Sequence, residues 1–378
     1  MWICERDIYK NSQTFYRKTE DGEDKIVAPI KISNGRYEII DILSVSGGYG
    51  IIYKAIDKRL MNRQVLIKAR RYDNVPGLFS YAVDSSRKKT IEDIRREVKF
   101  EVRCLTAFKN LSESRMPNLN SIVCDFSPTL YGPHRASNGE LFICDDKEIY
   151  EEEPYIVMQM IEGENLGEYV SKGLDNVLKD RGYKSVSQWE IAVLQYGLQL
   201  ASLLKHFHEP RETKLSGYSK QYFIYQDLKP ENIMITDKIF ITLLDFGGMT
   251  AILVKENGET ISNIKNAGKA GVGTFGYKAP ELTKGSKALG NLDNRVDMYS
   301  FGATLYHLLT CEPLSKVLKD ENDIIPVENL KKLGYTDETY NYIKKCLEQD
   351  RVNRFEKMDD AKREIFDILK VIKNNSIK

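Results

Sequence analysis

Between Ile224 and Gly248 the chain runs IYQDLKPENIMITDKIFITLLDFGG. Two apolar, β-branched runs, around Ile233–Ile235 and Leu243–Leu244, predict a short hairpin. Four polar residues punctuate its edges: Asp227, Lys229 and Asn232 before the first strand, and Asp245 directly after the second. Two carboxylates, an amide and an ammonium at the ends of an apolar hairpin need a chemical reason, and the rest of the chain supplies it.

The sequence has 378 residues, 42% hydrophobic and 29% charged, which is globular composition and enough for two lobes. Its 56 basic and 55 acidic residues leave a net charge of +1, so the whole-chain balance points neither to nucleic acid nor to a membrane surface. Six cysteines are scattered (Cys4, Cys104, Cys124, Cys144, Cys311, Cys346) with no C-x-x-C pair. That argues against a zinc site or a disulfide framework and fits a reducing, cytoplasmic setting. The first twenty residues hold no secretory apolar core, and no apolar run approaches the roughly 20 residues of a membrane helix. No internal repeat or low-complexity segment stands out.

Residues 1–36 are polar without clear periodicity and are expected to be an N-terminal extension, either packed on the first lobe or mobile. From Tyr37, YEIIDIL, GIIYKAI and RQVLIKAR predict an antiparallel meander. RKKTIEDIRREVKFEVRCLTAF then predicts a helix, with Ile94, Val98, Val102 and Leu105 on one face. EEEPYIVMQM predicts a further strand, and beyond Gly163 the pattern turns helical. In SQWEIAVLQYGLQLASLLKHF, Ser187 and Glu190 have capping-box spacing, and Ile191, Leu194, Leu198, Ala201 and Leu204 form a core-facing stripe. NRVDMYSFGATLYHLL and DAKREIFDILKVIK predict two more helices.

From about Tyr37 to about Leu369 the motifs, in their order, resemble the eukaryotic-type serine/threonine protein kinase catalytic domain. SVSGGYGIIYKA resembles the glycine-rich loop over the phosphates, although alone it is equally a Gly-rich hairpin; Gly47 and Gly50 match its second and third glycines and Ile52 the apolar roof over adenine. VLIK puts Lys68 on a strand, and the resemblance gives it a carboxylate partner on the following helix, Glu101 rather than Glu97. YIVMQMIEG resembles the last strand and hinge, with Met158 as gatekeeper and the backbone of Gln159, Met160 and Ile161 facing the adenine edge. The resemblance also gives the opening stretch its chemistry. Phosphoryl transfer asks a protein for alignment, charge neutralisation and an acceptor for the hydroxyl proton. Asp227 then orients the acceptor hydroxyl and takes its proton, Lys229 neutralises the moving phosphoryl group, Asn232 and Asp245 hold Mg²⁺ with hard oxygen ligands, and Met234 floors the adenine of ATP.

Three further matches are structural: Thr274 and Glu281 in GTFGYKAPE, Arg354 in QDRVNRF as the ion-pair partner of Glu281, and Asp297 in VDMYSFG as a cap on the catalytic loop. The expected fold is therefore α+β and bilobal: an extension over 1–36, a small β-rich N-lobe with one helix and hinge over 37–162, and a larger, mostly helical C-lobe over 163–378. The expected partner is a protein with a serine or threonine acceptor.

The sequence also departs from the family pattern. Val45 stands at the first glycine, Leu66 where a small residue is usual, and Tyr225-Gln226 in place of His-Arg before the catalytic aspartate. Extra chain, EPRETKLSGYSKQY, precedes that loop. The neutral Gln226 cannot pair with a loop phosphate, so Thr250, Thr260 and Ser262 are not expected to switch activity, although Lys255, Lys265 and Lys269 are substitute phosphate partners. The alternatives are a pseudokinase that binds nucleotide or a partner without turnover, and a small-molecule phosphotransferase of related fold.

Overall fold

A computed structural model describes residues 2–10, 12–19, 22–32, 35–45, 51–59, 61–69, 100–101, 155–236, 240–262, 273–282, 292–320 and 322–376. These fall into two compact units that divide between Met160 and Ile161. The helix expected around Ile94–Leu105 is described only at Phe100 and Glu101, which are helical; Gly47, Gly50, Glu97, Lys265 and Lys269 lie outside the described residues.

The first unit is built from antiparallel strands. β1 (Ile3–Asp7), β2 (Ser12–Thr19) and β3 (Gly22–Pro29) form one sheet, and β4 (Lys31–Ile32), β5 (Tyr37–Ser44), β6 (Ile51–Asp57), β7 (Arg63–Ala69) and β8 (Tyr155–Gln159) another, each in sequence order. The two-residue period of a strand explains what each face does. In β6 burial alternates without a break: Ile51, Tyr53, Ala55 and Asp57 are buried, while Ile52, Lys54 and Ile56 are half-buried. The buried face continues through Val65, Ile67 and Val157, and packs in one cluster with Phe15, Ile26, Ala28 and Ile32. The strands β1–β3, within the stretch read from sequence as an extension either packed on the first lobe or mobile, thus form a sheet whose Phe15, Ile26 and Ala28 share a core with the strands after Tyr37. The opposite face carries Ile52, Lys68 and Ile156 in one cross-strand row, and Leu66 with Met158 in the next.

The second unit begins with β9 (Glu164–Asn165) and helices α1 (Leu166–Val170), α2 (Leu174–Arg181) and α3 (Val186–His208). Then come β10 (Arg211–Glu212), β11 (Lys220–Ile224), β12 (Ile233–Thr236), β13 (Phe240–Leu243), β14 (Thr250–Val254) and β15 (Thr260–Ser262). Helices α4 (Arg295–Thr310), α5 (Leu314–Val317), α6 (Glu328–Lys332), α7 (Asp337–Cys346) and α8 (Met358–Ser376) complete it. The predicted hairpin is present, with Ile233 opposite Leu243 and Thr236 opposite Phe240. α4 is buried on every side from Val296 to Thr310, as a central helix must be.

α3 departs from the sequence pattern in two ways. Its stripe is wider than predicted: Leu194, Ala201 and Leu204 are buried, but so are Val193, Gly197 and Leu200, while Ile191 and Leu198 are only half-buried. The capping box does not form. The N-cap is Ser185, without a side-chain cap, and Glu190 is fully buried. Its Oε1 instead accepts hydrogen bonds from the Thr336 backbone N–H at 3.0 Å and hydroxyl at 2.6 Å. A buried carboxylate takes the strongest donors within reach, and a distant loop outcompetes its own helix terminus.

Candidate active site

The hairpin β12–β13 carries polar groups at both ends. Before it, Pro230–Asn232 form a 3-10 turn; after it, Asp245 adopts a left-handed conformation (φ 51°) and leads into a second turn, Phe246–Gly248. A non-glycine residue at positive φ is strained, so its surroundings must hold it there. One restraint is local: Asp245 Oδ1 accepts from the Gly247 N–H at 3.0 Å.

Asp227, Lys229, Asn232 and Thr274 form one network. The Lys229 ammonium donates to Thr274 Oγ1 at 2.6 Å, and the Thr274 hydroxyl donates to Asp227 Oδ1 at 2.7 Å. Asp227 Oδ2 lies 3.2 Å from both Lys229 Nζ and Asn232 Nδ2. Asn232 Nδ2 also donates to the Asp227 carbonyl at 2.8 Å. With its amide nitrogen committed to Asp227, Asn232 is left with its side-chain carbonyl as an acceptor. α1 closes on this loop: a Cβ on Gly167 would lie 2.8 Å from Glu231 Cγ and 2.9 Å from its backbone nitrogen, so only glycine permits the approach.

The loop is anchored from below by Asp297, in the first turn of α4 and fully buried. Its Oδ2 accepts from the Tyr225 N–H and its Oδ1 from the Gln226 N–H, each at 2.7 Å. Gln226 is in the left-handed region (φ 67°), so these two bonds fix a strained turn directly before Asp227. A third contact to Asp297 escaped sequence reasoning: His208, the last residue of α3, places Nε2 at 2.8 Å from Oδ2. No motif marks His208, because the pairing depends on where two distant helices cross.

Tyr225 fills an apolar slot. It is fully buried, stacked on Phe207 with centroids 6.2 Å apart and edge-on to Phe246 at 5.9 Å, and its hydroxyl donates to the Leu244 carbonyl. Gln226 is buried too, and its Oε1 accepts from the Thr250 hydroxyl at 3.3 Å. Thr250, grouped in the sequence with Thr260 and Ser262, is a buried β14 residue, 1% exposed. Thr260 is exposed and Ser262 half-buried in β15, and Lys255 is paired with Glu259 at 3.0 Å.

Glu281 and Arg354 meet in a forked ion pair. Nη1 lies 2.8 Å from Oε1 and Nη2 2.9 Å from Oε2, and the arginine also donates to the carbonyls of Arg295 and Glu348.

In the first unit, Lys68 is buried on β7 with its ammonium 2.6 Å from Glu101 Oε1. Ile52 stands opposite Lys68, and Met158 opposite Leu66, on the same face. Met158 is buried, Met160 and Met234 are half-buried, and Gln159 ends β8. Among the described residues no group of three or more His, Cys, Asp or Glu could hold a metal unaided.

The family model for the protein kinase domain matches residues 136–369. The chain belongs to the protein kinase family. Its relatives include a probable serine/threonine-protein kinase of Clostridium perfringens, 26% identical over 92% of this chain, and one of Clostridium acetobutylicum, also 26% identical over 92%. The serine/threonine-protein kinase Nek10 of Homo sapiens is 27% identical over 76%. This kinase chain spans 40%, 41% and 18% of those relatives' lengths, respectively. The matched family segment begins beyond Lys68 and Glu101, so their pairing is a separate, geometric observation. No helix among the described residues is long and apolar enough to cross a membrane.

Proposed function

We propose that this chain transfers the γ-phosphoryl group of Mg-ATP to serine or threonine hydroxyls of protein substrates, itself included. The observation that carries the reading is the hydroxyl of Thr274, which donates to Asp227 Oδ1 at 2.7 Å while accepting from Lys229 at 2.6 Å. An acceptor serine or threonine needs these same two partners: a carboxylate to orient it and take its proton, and a cation beside the incoming phosphoryl group.

Asp227 binds the acceptor hydroxyl and receives its proton as the new O–P bond forms and the bond to the leaving ADP oxygen breaks. Lys229 offsets the charge spread over the transferring group. Lys68, held by Glu101, takes the α- and β-phosphates. Asn232 and Asp245 hold Mg²⁺, which when bound neutralises charge on the phosphates. By the family resemblance, Ile52, Met158 and Met234 are each assigned apolar contacts to adenine, and the backbone of Gln159, Met160 and Ile161 its polar edge. The resemblance assigns Gly47 and Gly50 to the phosphates. The names of the relatives support serine and threonine as acceptors. The free, buried thiols of Cys311 and Cys346 fit a cytoplasmic setting.

The test is incubation of purified protein with Mg²⁺ and γ-labelled ATP, alone and with a generic basic protein, followed by phosphoamino-acid analysis. Label in phosphoserine or phosphothreonine supports the reading. Nucleotide binding without transfer, or transfer to small molecules only, overturns it.

A further inference from the structure

The extra chain before the catalytic loop, Glu209–Tyr222, contains a strand pair. β10 and β11 lie antiparallel, Arg211 opposite Gln221, and β11 continues into the loop at Ile224. The partner on its other side is the segment that follows Asp245. Lys220–Ile224 run opposite Thr250–Val254 through five successive pairs, from Lys220–Val254 to Ile224–Thr250, and β15 closes the sheet in the order β10-β11-β14-β15.

This arrangement bears directly on Asp245. The aspartate lies between two ladders: β13 ends at Leu243, opposite Ile233, and β14 begins at Thr250, opposite Ile224. Its strained backbone is thus held from both sides, and the second hold depends on β11. A two-stranded ribbon is marginal in water, whereas three or more strands with a buried face are independently stable. β10 and β15 turn the β11–β14 pair into a four-stranded sheet whose residues Phe223, Ile224, Ala251, Ile252 and Leu253 are buried.

Both ends of the ladder are locked. At the catalytic end, the Thr250 hydroxyl donates to Gln226, with both side chains buried. At the far end, the Ser219 N–H donates to the Val254 carbonyl at 2.8 Å, and its hydroxyl reaches the Val254 and Lys255 carbonyls at 3.2 and 3.3 Å. The turn between β14 and β15 closes through Lys255 N–H to the Glu259 carbonyl at 2.9 Å, with Gly258 in the left-handed region (φ 83°) that favours glycine. At the root of the insert, Arg211 Nη2 donates to the His206 carbonyl at 2.7 Å, tying β10 to the last turn of α3.

We propose that the insert is a positioning element for the phosphoryl-transfer step: by β-pairing with Ile252–Val254 it extends and braces the ladder that begins at Ile224–Thr250, and so fixes the segment after Asp245 in place without an added phosphate to order it. The proposal rests on the kinase reading for its effect on catalysis. The ordering it assigns to residues 250–262 does not.

Two variants test it. One replaces Arg211–Ser219 by Gly-Gly, a closure made feasible by the direct pairing of Arg211 with Gln221. The other is Ser219→Pro, which removes the donor to Val254 at the half-buried rim and leaves the remaining strands in place. Hydrogen exchange is measured over residues 250–262, together with kcat and the ATP KM of phosphatase-treated protein. In the deletion variant we expect exchange over Thr250–Val254 to accelerate at least about tenfold as local opening becomes cheaper. We expect kcat to fall by about tenfold or more and the ATP KM to stay within about threefold, the split of an element that acts on the transfer step and not on nucleotide binding. Ser219→Pro changes both in the same direction by less, and it decides the question alone should the deletion variant not fold. Unchanged protection with kcat within about twofold of the parent in a folded variant overturns the proposal, as does a tenfold loss of parental kcat on phosphatase treatment. If the parent transfers no phosphate at all, the functional reading fails, and the exchange data still decide whether the insert orders this segment.

Discussion

Arg354 and Glu281 form a two-pronged ion pair across 73 residues of chain, at 2.8 and 2.9 Å, with the arginine side chain 0% and the glutamate 14% exposed. The pair joins the 3-10 turn Pro280–Leu282 to the segment after α7, and Arg354 also satisfies backbone carbonyls at Arg295 and Glu348. Removing one partner of such a pair strands a buried charge, so Arg354→Ala is expected to destabilise the fold by roughly 3–5 kcal/mol. Arg354→Lys keeps the charge but not the planar fork and should recover only part of that. Urea denaturation of the three proteins checks both; an alanine variant of parental stability contradicts the account.

The buried pair Tyr277–His307 makes a pH prediction. The Tyr277 hydroxyl lies 2.5 Å from His307 Nδ1, and burial lowers the His307 pKa to about 4 from an ordinary 6.5. Burial also pushes the Tyr277 hydroxyl far above its usual range, so it keeps its proton and donates. The folded state thus resists protonating His307, while the unfolded chain takes a proton at ordinary pH. Stability should be unaffected above about pH 6.5 and fall as pH drops from there towards about 4, by about 3 kcal/mol in total for this group. His307→Gln retains an acceptor for Tyr277 without titrating. Stability measured from pH 8 to pH 4 should fall less steeply in that variant; parallel curves contradict the assignment.

Glu190 is a long-range clamp in place of a helix cap. Its two hydrogen bonds to Thr336 link the start of α3 to the start of α7. Glu190→Ala leaves both donors unmatched and should cost about 1–3 kcal/mol. Ser187→Ala, which removes the hydroxyl of the box that does not form, should cost less than about 0.5 kcal/mol. Thermal melts of the two variants separate the possibilities: a larger loss at Ser187 than at Glu190 restores the capping box.

Lys68 and Asp245 act on phosphate charge in the proposed function. Lys68→Met and Asp245→Asn should each lower turnover by on the order of 10²–10³-fold, the usual scale for loss of one preorganised electrostatic contact. Both proteins should keep parental far-UV circular dichroism. Turnover within a few fold of the parent in either variant removes that residue from the site.

Much of this was legible in the sequence, for identifiable reasons. The hairpin Ile233–Leu243 is local, alternating and bounded by polar residues, so pattern and structure coincide. The helix pattern offered Lys68 both Glu97 and Glu101, and the family resemblance, which puts the glutamate four residues before a leucine (here Leu105), singled out the Glu101 that Lys68 meets. The N-terminal sheet was hidden because one of its inward positions is polar: Gln13 is 1% exposed, and its Nε2 donates to the carbonyls of Pro29 and Ile39. A buried glutamine on β2 breaks the apolar alternation that announces a strand. The sheet made by the insert was hidden for another reason: β10 is only two residues long, and the partner of β11 follows after the whole β12–β13 hairpin. Partners far apart in sequence likewise explain Glu190 with Thr336 and His208 with Asp297.

Asp227 carries the central claim, that this chain moves a phosphoryl group and does not merely hold a nucleotide. The decisive measurement compares the parent and Asp227→Asn, in Mg²⁺ and labelled ATP, for kcat on a protein substrate and for nucleotide Kd by direct titration. In the proposed function the carboxylate serves the acceptor hydroxyl and not the nucleotide, so kcat should fall by at least about 10²-fold while Kd changes by less than about threefold. Near-parental phosphorylation by Asp227→Asn, or a parent protein that binds ATP and transfers nothing, contradicts it.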